Sequence, residues 1–348
     1  MKAAVLFGNE DIRYTDIKMP ETRQGTVKIR VRASGICGSD VPRVFAHGAH
    51  SYPIVLGHEF SGEVAEVGEG VADIAVGDRV TAAPRIPCLA CEDCLAGNIA
   101  QCKHDSFIGS REQGSFAEYV VVPARNVVRF SKSVPFEVAA FFEPATVALH
   151  GVQNVGFEGG GYAAVVGAGT IGNLAMQWTK IFGSRKTVVF DLDDRRLALA
   201  KEMGADAVVN TAKESWFEEA TALTDGRGYA DVFEVVGANP TLVMALRLAG
   251  AKARVSLIGT PPGSVTFTKE QWEHINRKEL WIRGCWQGYS MPFPGREWEL
   301  TAHYFATQEL RITEKFIDKK FPLKDAAQAF ELFQTPERVH GKILLVND

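Results

Sequence analysis

The chain has 348 residues, 46% hydrophobic and 23% charged, with 38 Lys and Arg against 42 Asp and Glu for a net charge of −4. The length exceeds the roughly 100–200 residues usual for one domain, so two are expected, and the balanced charge offers no basic excess for nucleic acid. The N-terminal MKAAVLFGNE carries too short an apolar run for a signal peptide, and the long weakly polar stretch GGGYAAVVGAGTIGNLAMQW is interrupted by glycines, so a soluble, cytoplasmic chain without a membrane span is expected.

From residue 1 to about 147 the chain runs in short β-like segments between glycines and turn residues: VKIRVRASG, SGEVAEVGEG, GDRVTAAP, AEYVVVPARNVVRF. This texture predicts a mostly antiparallel β domain. Cys37 lies in GICGSD, His58 and Glu59 in LGHEFSG, and Glu143 in FFEPATVALH. Singly, each reads as a core or surface residue. Residues 88–102, CLACEDCLAGNIAQC, hold four of the six cysteines, Cys88, Cys91, Cys94 and Cys102. In a reducing cytosol such clustering favours a metal over disulfides or redox-sensing thiols. Two-residue gaps let a turning backbone aim successive thiolates at one tetrahedral centre, and four thiolates close it to substrate, so a structural zinc lobe is expected.

From about residue 163 apolar strands alternate with amphipathic helices: AAVVGA, TIGNLAMQWTKIFG, KTVVFDL, DDRRLALAKEMGA, DAVVN, SWFEEATALT, ADVFEVVG, NPTLVMALRLAG, ARVSLIG. That alternation predicts a parallel sheet flanked by helices. Gly167, Gly169 and Gly172, with Thr170 and Ile171 among them, form G-x-G-x-x-G after a strand and at the start of a helix. The glycines permit the tight turn, the approach of a pyrophosphate and close helix packing, while the helix N-terminus favours negative charge. Asp191 follows at the end of the next strand, placed to accept hydrogen bonds from the ribose hydroxyls of NAD and to repel the 2′-phosphate of NADP. Arg195 and Arg196 carry the competing NADP reading. After GTPPG and LWIRGCW, the tail from about 287, ending in GKILLVND, is expected to return to the first domain. His104, His150, His274, His303 and His340 have no ligand spacing and read as surface or packing residues.

Taken together, Gly57-His58-Glu59-Phe60-Ser61-Gly62, continued by Gly68 and Val71, resembles the zinc signature of the medium-chain alcohol and polyol dehydrogenase family. Cys37 stands at that family's first catalytic-zinc ligand, and the cysteine lobe and glycine fingerprint stand where the family has them. The resemblance covers essentially the whole chain. It implies an α/β protein: a GroES-like β-rich catalytic domain, residues 1–148 and 286–348 with the lobe at about 88–102, and a doubly wound Rossmann NAD-binding domain, residues 149–285. Two zinc ions per chain follow, one at Cys88, Cys91, Cys94 and Cys102 and one at Cys37, His58 and Glu143. Glu143-Pro144 stands where the alcohol dehydrogenases have a cysteine ligand, as in the polyol branch. Glu59 ligates directly or through water.

The same resemblance makes Ser39 the hydroxyl bridge for the outgoing proton, although Asp40-Val41-Pro42 lacks the relay histidine of many relatives. It also sets Thr146, Ile171, Arg196, Ile258, Gly259, Thr260 and Trp286 against the cofactor. CGSDVPRVF, AHGAHSYPIVLGHEFSG and FIGSREQGSFAEYVVV look like the part of the polyol branch that acts on hexitol phosphates such as galactitol 1-phosphate, oxidising a secondary hydroxyl to the ketose. Arg43, His50 and Arg111 are the candidate phosphate contacts. The alternatives are a free polyol (sorbitol or xylitol) dehydrogenase, a secondary-alcohol or L-threonine dehydrogenase, and a non-catalytic dinucleotide-binding protein. A homodimer or homotetramer is expected.

Overall fold

In Thr26–Gly35, Val27, Ile29, Val31 and Ala33 alternate with Lys28, Arg30 and Arg32, and the apolar set is buried. A pleated strand with one face on a core has this period of two. The computed structural model, which describes residues 1–335 and 339–347, places this strand at the centre of a seven-stranded sheet. In spatial order the sheet runs Val127–Arg129, Arg79–Ala82, Glu59–Val67, Thr26–Gly35, Lys342–Val346 and Ile317–Pro322, with Tyr119–Pro123 also paired to Thr26–Gly35. Its core includes Val27, Ile29, Val31, Phe60, Val64 and Val80. The three-stranded sheet of Lys2–Gly8, Asp11–Asp16 and Ile54–Val55 accompanies it.

The chain divides into two compact units. One comprises Met1–Glu143, Tyr289–Gln308 and Ile312–Asp348, and the other Pro144–Gly288 and Glu309–Arg311. The tail joins the first unit because Lys342–Val346 pairs antiparallel with Thr26–Gly35, setting Leu344 opposite Gly35.

The second unit is built on a six-stranded parallel sheet: Ala207–Asn210, Lys186–Asp191, Tyr162–Val166, Tyr229–Glu234, Ala249–Leu257 and Trp281–Gly284. Numbered along the chain, that order is 3-2-1-4-5-6, the doubly wound Rossmann order. AAVV and TVVF are buried without alternation, as strands covered on both faces must be. The order reverses at Tyr162–Val166, so the fingerprint turn that follows Val166 lies at the switch point where such sheets bind ligands. Among the described residues no helix is long and apolar enough to cross a membrane.

Candidate metal centres and dinucleotide turn

The lobe is shaped by local backbone. Leu89 and Gly97 adopt positive φ, the short helix Glu92–Leu95 turns Cys94 inward, and the N–H groups of Cys88 and Cys91 donate to the Sγ atoms of Cys102 and Cys88. The four Sγ atoms all lie within 4.8 Å of one another, with separations of 3.5 Å for Cys88–Cys102 and 4.0 Å for both Cys88–Cys94 and Cys91–Cys102. Thiolates about 2.3 Å from one tetrahedral centre are about 3.8 Å apart, so the donor set fits zinc. A disulfide needs about 2.05 Å, and among the described residues none forms. Backbone N–H groups, that of Cys94 first, lower the Cys91 thiol to about 6, while burial pushes Cys94 up to about 12. Cys94 therefore ionises only beside a cation.

Three strand ends build the second cluster. Gly35, the last residue of its strand, is paired with Glu59, so Cys37 just beyond the first strand meets His58 just before the second. Lys342 opens the C-terminal strand on the other side. Gly35 has no room for a side chain, since a Cβ there would stand 2.5 Å from Glu59 Oε2. Ligand atoms of Cys37, His58 and Glu59 all lie within 4.8 Å of one another. Glu143, buried in the first turn of the helix Phe142–Asn154, stands outside that trio but within electrostatic reach of it.

This cluster is short of positive charge. Burial, reinforced by Glu59, pushes the Cys37 thiol up, although part of the residue's surface stays exposed. Burial also pushes Glu143 up to about 7, with the positive charge of His58 opposing. A thiol, an imidazole and two carboxylates suit a divalent cation that keeps a coordination position open. His58 Nδ1 is buried without a hydrogen-bond partner and lies 3.6 Å from Asp40 Oδ1, the carboxylate nearest to it and of the kind that orients metal-ligating rings when the two close to hydrogen-bond distance. The Phe107 ring packs edge-on against the same imidazole. Ser39 is exposed, and its Oγ donates to Cys37 Sγ at 3.3 Å.

Two buried groups here escape a sequence reading. Asp40 accepts from Cys37 N–H and faces His58; its only signal is an acidic residue three positions after a candidate ligand. Lys342 pairs with Glu59 and donates to Ile36 O, and only the strand pairing of the tail reveals it.

In the second unit, Gly167 has φ +110° and a Cβ on Gly172 would overlap Gly167 O, so both positions require glycine. A Cβ on Gly169 would meet nothing within 4 Å. Open space at the N-terminus of the helix Thr170–Ile181 is what a pyrophosphate needs. Asn173 donates to Ala168 O and Gly169 O, pinning the turn. Asp191 accepts from Ala168 N–H at 2.7 Å and Asp193 N–H at 3.0 Å, which ties the fingerprint to the end of the second strand. Elsewhere in this unit Thr146 packs on Gly288, Ile258 on Gly151, and Gly259 and Thr260 on Gly237. Arg196 is half-buried on the helix Asp194–Glu202, Arg195 pairs with Asp193, and Trp286 is exposed.

The three candidate phosphate contacts differ. His50 is exposed. Arg43 is turned inward onto Ser39 and Asp40. Arg111 has 46% of its side chain exposed, with Asp105 at 3.7 Å. It sits on a tight turn in which Phe107 O accepts from the N–H groups of Ser110, Arg111 and Glu112, so the residue that packs on His58 also anchors the turn bearing Arg111.

Residues 23–132 match the alcohol dehydrogenase GroES-like domain family and residues 170–303 the zinc-binding dehydrogenase family. The chain is 37% identical over 347 residues to galactitol 1-phosphate 5-dehydrogenase of Escherichia coli strain K12, covering 99% of this chain and 100% of that protein. The crystal structure of the Escherichia coli galactitol-1-phosphate dehydrogenase superposes with a TM-score of 0.95 over 100% of both chains. L-threonine 3-dehydrogenase of Edwardsiella ictaluri is 31% identical over 353 residues, covering 99% of each chain. A Sinorhizobium meliloti 1021 zinc-binding dehydrogenase solved with NADP is 29% identical, with a TM-score of 0.88 over 99% of each chain. With its cysteine and histidine clusters, fingerprint turn and two-domain architecture all in that pattern, the chain belongs to the zinc-dependent medium-chain dehydrogenases, oxidoreductases that act on CH–OH groups.

Proposed function

We propose that the chain oxidises a secondary hydroxyl of a hexitol phosphate such as galactitol 1-phosphate to the ketose, with NAD as hydride acceptor and two zinc ions per chain. The observation that carries this reading is the convergence of Cys37, His58 and Glu59 beside the Ser39 hydroxyl, with Glu143 in reach; the similarity to the galactitol 1-phosphate enzyme directs it to substrate. Zinc held by Cys37, His58 and Glu143 or Glu59 supplies Lewis acidity, which lowers the pKa of a hydroxyl toward neutrality. Ser39 Oγ accepts the hydroxyl proton and, being exposed, passes it to water. Lys342 holds Glu59 by its ion pair, while Asp40 orients His58. The secondary alcohol loses one proton to Ser39 and one hydride to NAD, leaving ketose, NADH and H⁺.

Arg111 is the phosphate contact this reading favours, because its guanidinium is exposed and its turn is anchored at Phe107 beside His58. A dianion held at the far end of the substrate would orient the carbinol. Galactitol 1-phosphate should be oxidised with kcat/KM at least about tenfold above free galactitol, roughly 1.4 kcal/mol, and Arg111→Ala should remove that advantage while sparing the unphosphorylated polyol. Free sorbitol, galactitol or L-threonine outperforming every phosphate ester would overturn the substrate assignment.

For the cofactor, the carboxylate of Asp191 is held against the fingerprint turn at Ala168 N–H, and an acidic residue at the end of this strand would repel a 2′-phosphate. Wild-type protein should use NAD with kcat/KM about tenfold or more above NADP, and Asp191→Ala should narrow the ratio. Equal constants for the wild type, as the NADP-bound relative makes worth measuring, would sink the NAD assignment.

A homodimer or homotetramer is proposed from the edge of the parallel sheet. Among the described residues Trp281–Gly284 pairs on one side alone and is exposed throughout, with Trp281 73% exposed, and such an edge invites a second strand. Light scattering that gives the mass of one chain at micromolar concentration would exclude it. A cytoplasmic setting is proposed because clustered free thiols suit a metal in a reducing compartment; secretion of the native protein into an oxidising compartment would contradict it.

A further inference from the structure

Arg43 lies on the short helix Asp40–Phe45, directly after the Cys37 turn. Its Nη1 donates to Ser39 O at 2.9 Å, Ser39 Oγ at 3.1 Å and Asp40 Oδ1 at 3.1 Å, and only 18% of the side chain is exposed. Asp40 is wholly buried. One of its oxygens accepts from Cys37 N–H at 3.2 Å, and the other, the one bound by Arg43, stands 3.6 Å from His58 Nδ1. Ser39 Oγ in turn donates to Cys37 Sγ. A single nitrogen of one guanidinium therefore holds the groups that abut both Cys37 and His58.

We infer that Arg43 is a positioning residue for this centre, fixing the Ser39 hydroxyl and the Asp40 carboxylate in the orientations that serve substrate and ligands. The inference deepens, and rests on, the dehydrogenase reading above. With one Ser39 lone pair occupied by the Arg43 N–H and the Ser39 proton directed at Cys37 Sγ, the other lone pair is left for the hydrogen of a substrate hydroxyl. An arginine remains protonated at any working pH and takes no proton itself. The proton leaves instead from Ser39, which faces solvent, so the stretch Asp40-Val41-Pro42 needs no histidine for this step. Arg43 also supplies the counter-charge without which a fully buried Asp40 carboxylate is costly, and so keeps that carboxylate aimed at the His58 ring. Nη1 already serves three oxygens with two hydrogens. Arg43 is thus committed inward, in contrast to the exposed Arg111.

The test compares Arg43→Ala and Arg43→Lys with wild type as full-length, zinc-loaded protein, and again with cobalt(II) in the open site. Groups that orient metal ligands change affinity or activity about 10- to 100-fold when removed. Arg43→Ala is expected to lower kcat about 100-fold on galactitol 1-phosphate and free galactitol alike, with KM held within about threefold. It should also alter the cobalt visible spectrum and speed cobalt loss to a chelator about tenfold, while Arg43→Lys, which restores charge and one donor, recovers part of each effect. A KM for the phosphorylated substrate raised about tenfold or more, with kcat and the free polyol untouched, would make Arg43 a phosphate contact and overturn the inference. So would wild-type kcat together with a wild-type cobalt spectrum. If the wild type oxidises none of the alcohols offered, the dehydrogenase reading fails by itself; the cobalt spectrum and chelation rate then decide on Arg43, a change in both supporting its role and no change removing it.

Discussion

Cys37→Ser, His58→Ala and Glu143→Ala should each lose about 10³-fold or more in kcat while binding NAD within about threefold of the parent. Lewis-acid stabilisation is worth several kcal/mol, and each 1.36 kcal/mol is tenfold in rate. The three residues lie in the segment Met1–Glu143 of the first unit, and the fingerprint turn with its Asp191 tie is built from residues of the other. Each variant strips one donor from a buried cluster, whose Glu143 is pushed up to about 7 by burial. Steady-state turnover, NADH fluorescence titration and zinc content measured on the same samples separate the two functions. Appreciable turnover by a zinc-depleted wild type would sink the assignment.

Cys94→Ser should lose one zinc per chain and melt at a lower temperature, with no disulfide appearing among the remaining cysteines. Cys94 is the thiol that burial pushes to about 12, so it ionises only against a cation, and a serine hydroxyl there would not. Structural zinc sites contribute folding free energy outright. A loss on the order of 3 kcal/mol, at about 2–4 °C per kcal/mol for a domain of this size, corresponds to roughly 6–12 °C. Calorimetry with metal analysis reads both quantities, and a variant with its full zinc complement and an unshifted melting temperature would refute a structural role.

What the sequence makes legible follows how far apart the cooperating residues lie. The cysteine lobe closes within fifteen positions, from Cys88 to Cys102, so spacing alone predicts that the thiols meet. The fingerprint and Asp191 sit on consecutive strands of one βαβ unit, and the parallel sheet is announced by its alternation of strand and helix texture. Lys342 and Glu59, by contrast, belong to opposite ends of the chain, and nothing in GKILLVND marks its lysine as buried. Asp40 and Arg43 are close in sequence to Cys37, yet charged residues on a helix of six positions read as solvated; the inward turn of Arg43 depends on the buried carboxylate it answers. The sequence, by resemblance, sets Glu143 ahead of Glu59 as the third ligand, whereas the structure brings Glu59 into the trio with Cys37 and His58. Strand pairing draws Glu59 to Cys37, whereas Glu143 arrives on a separate helix.

The pairing of Lys342 with Ile36 and Glu59 also sets a timetable for synthesis. The two partners of the Lys342–Ile36 hydrogen bond are 306 residues apart, a span that takes roughly 15–60 s to translate at about 5–20 residues per second. For that interval the end of the strand at Ala33–Gly35 lacks its partner, the rest being covered by Tyr119–Pro123, and Glu59 lacks Lys342. A nascent chain therefore carries an open sheet edge beside an acidic cluster while the whole second unit is being made, the condition under which strands pair wrongly or between chains. The strand Lys342–Val346 covers that end and brings Glu59 its lysine in one step, so this centre matures only after Lys342 has been made.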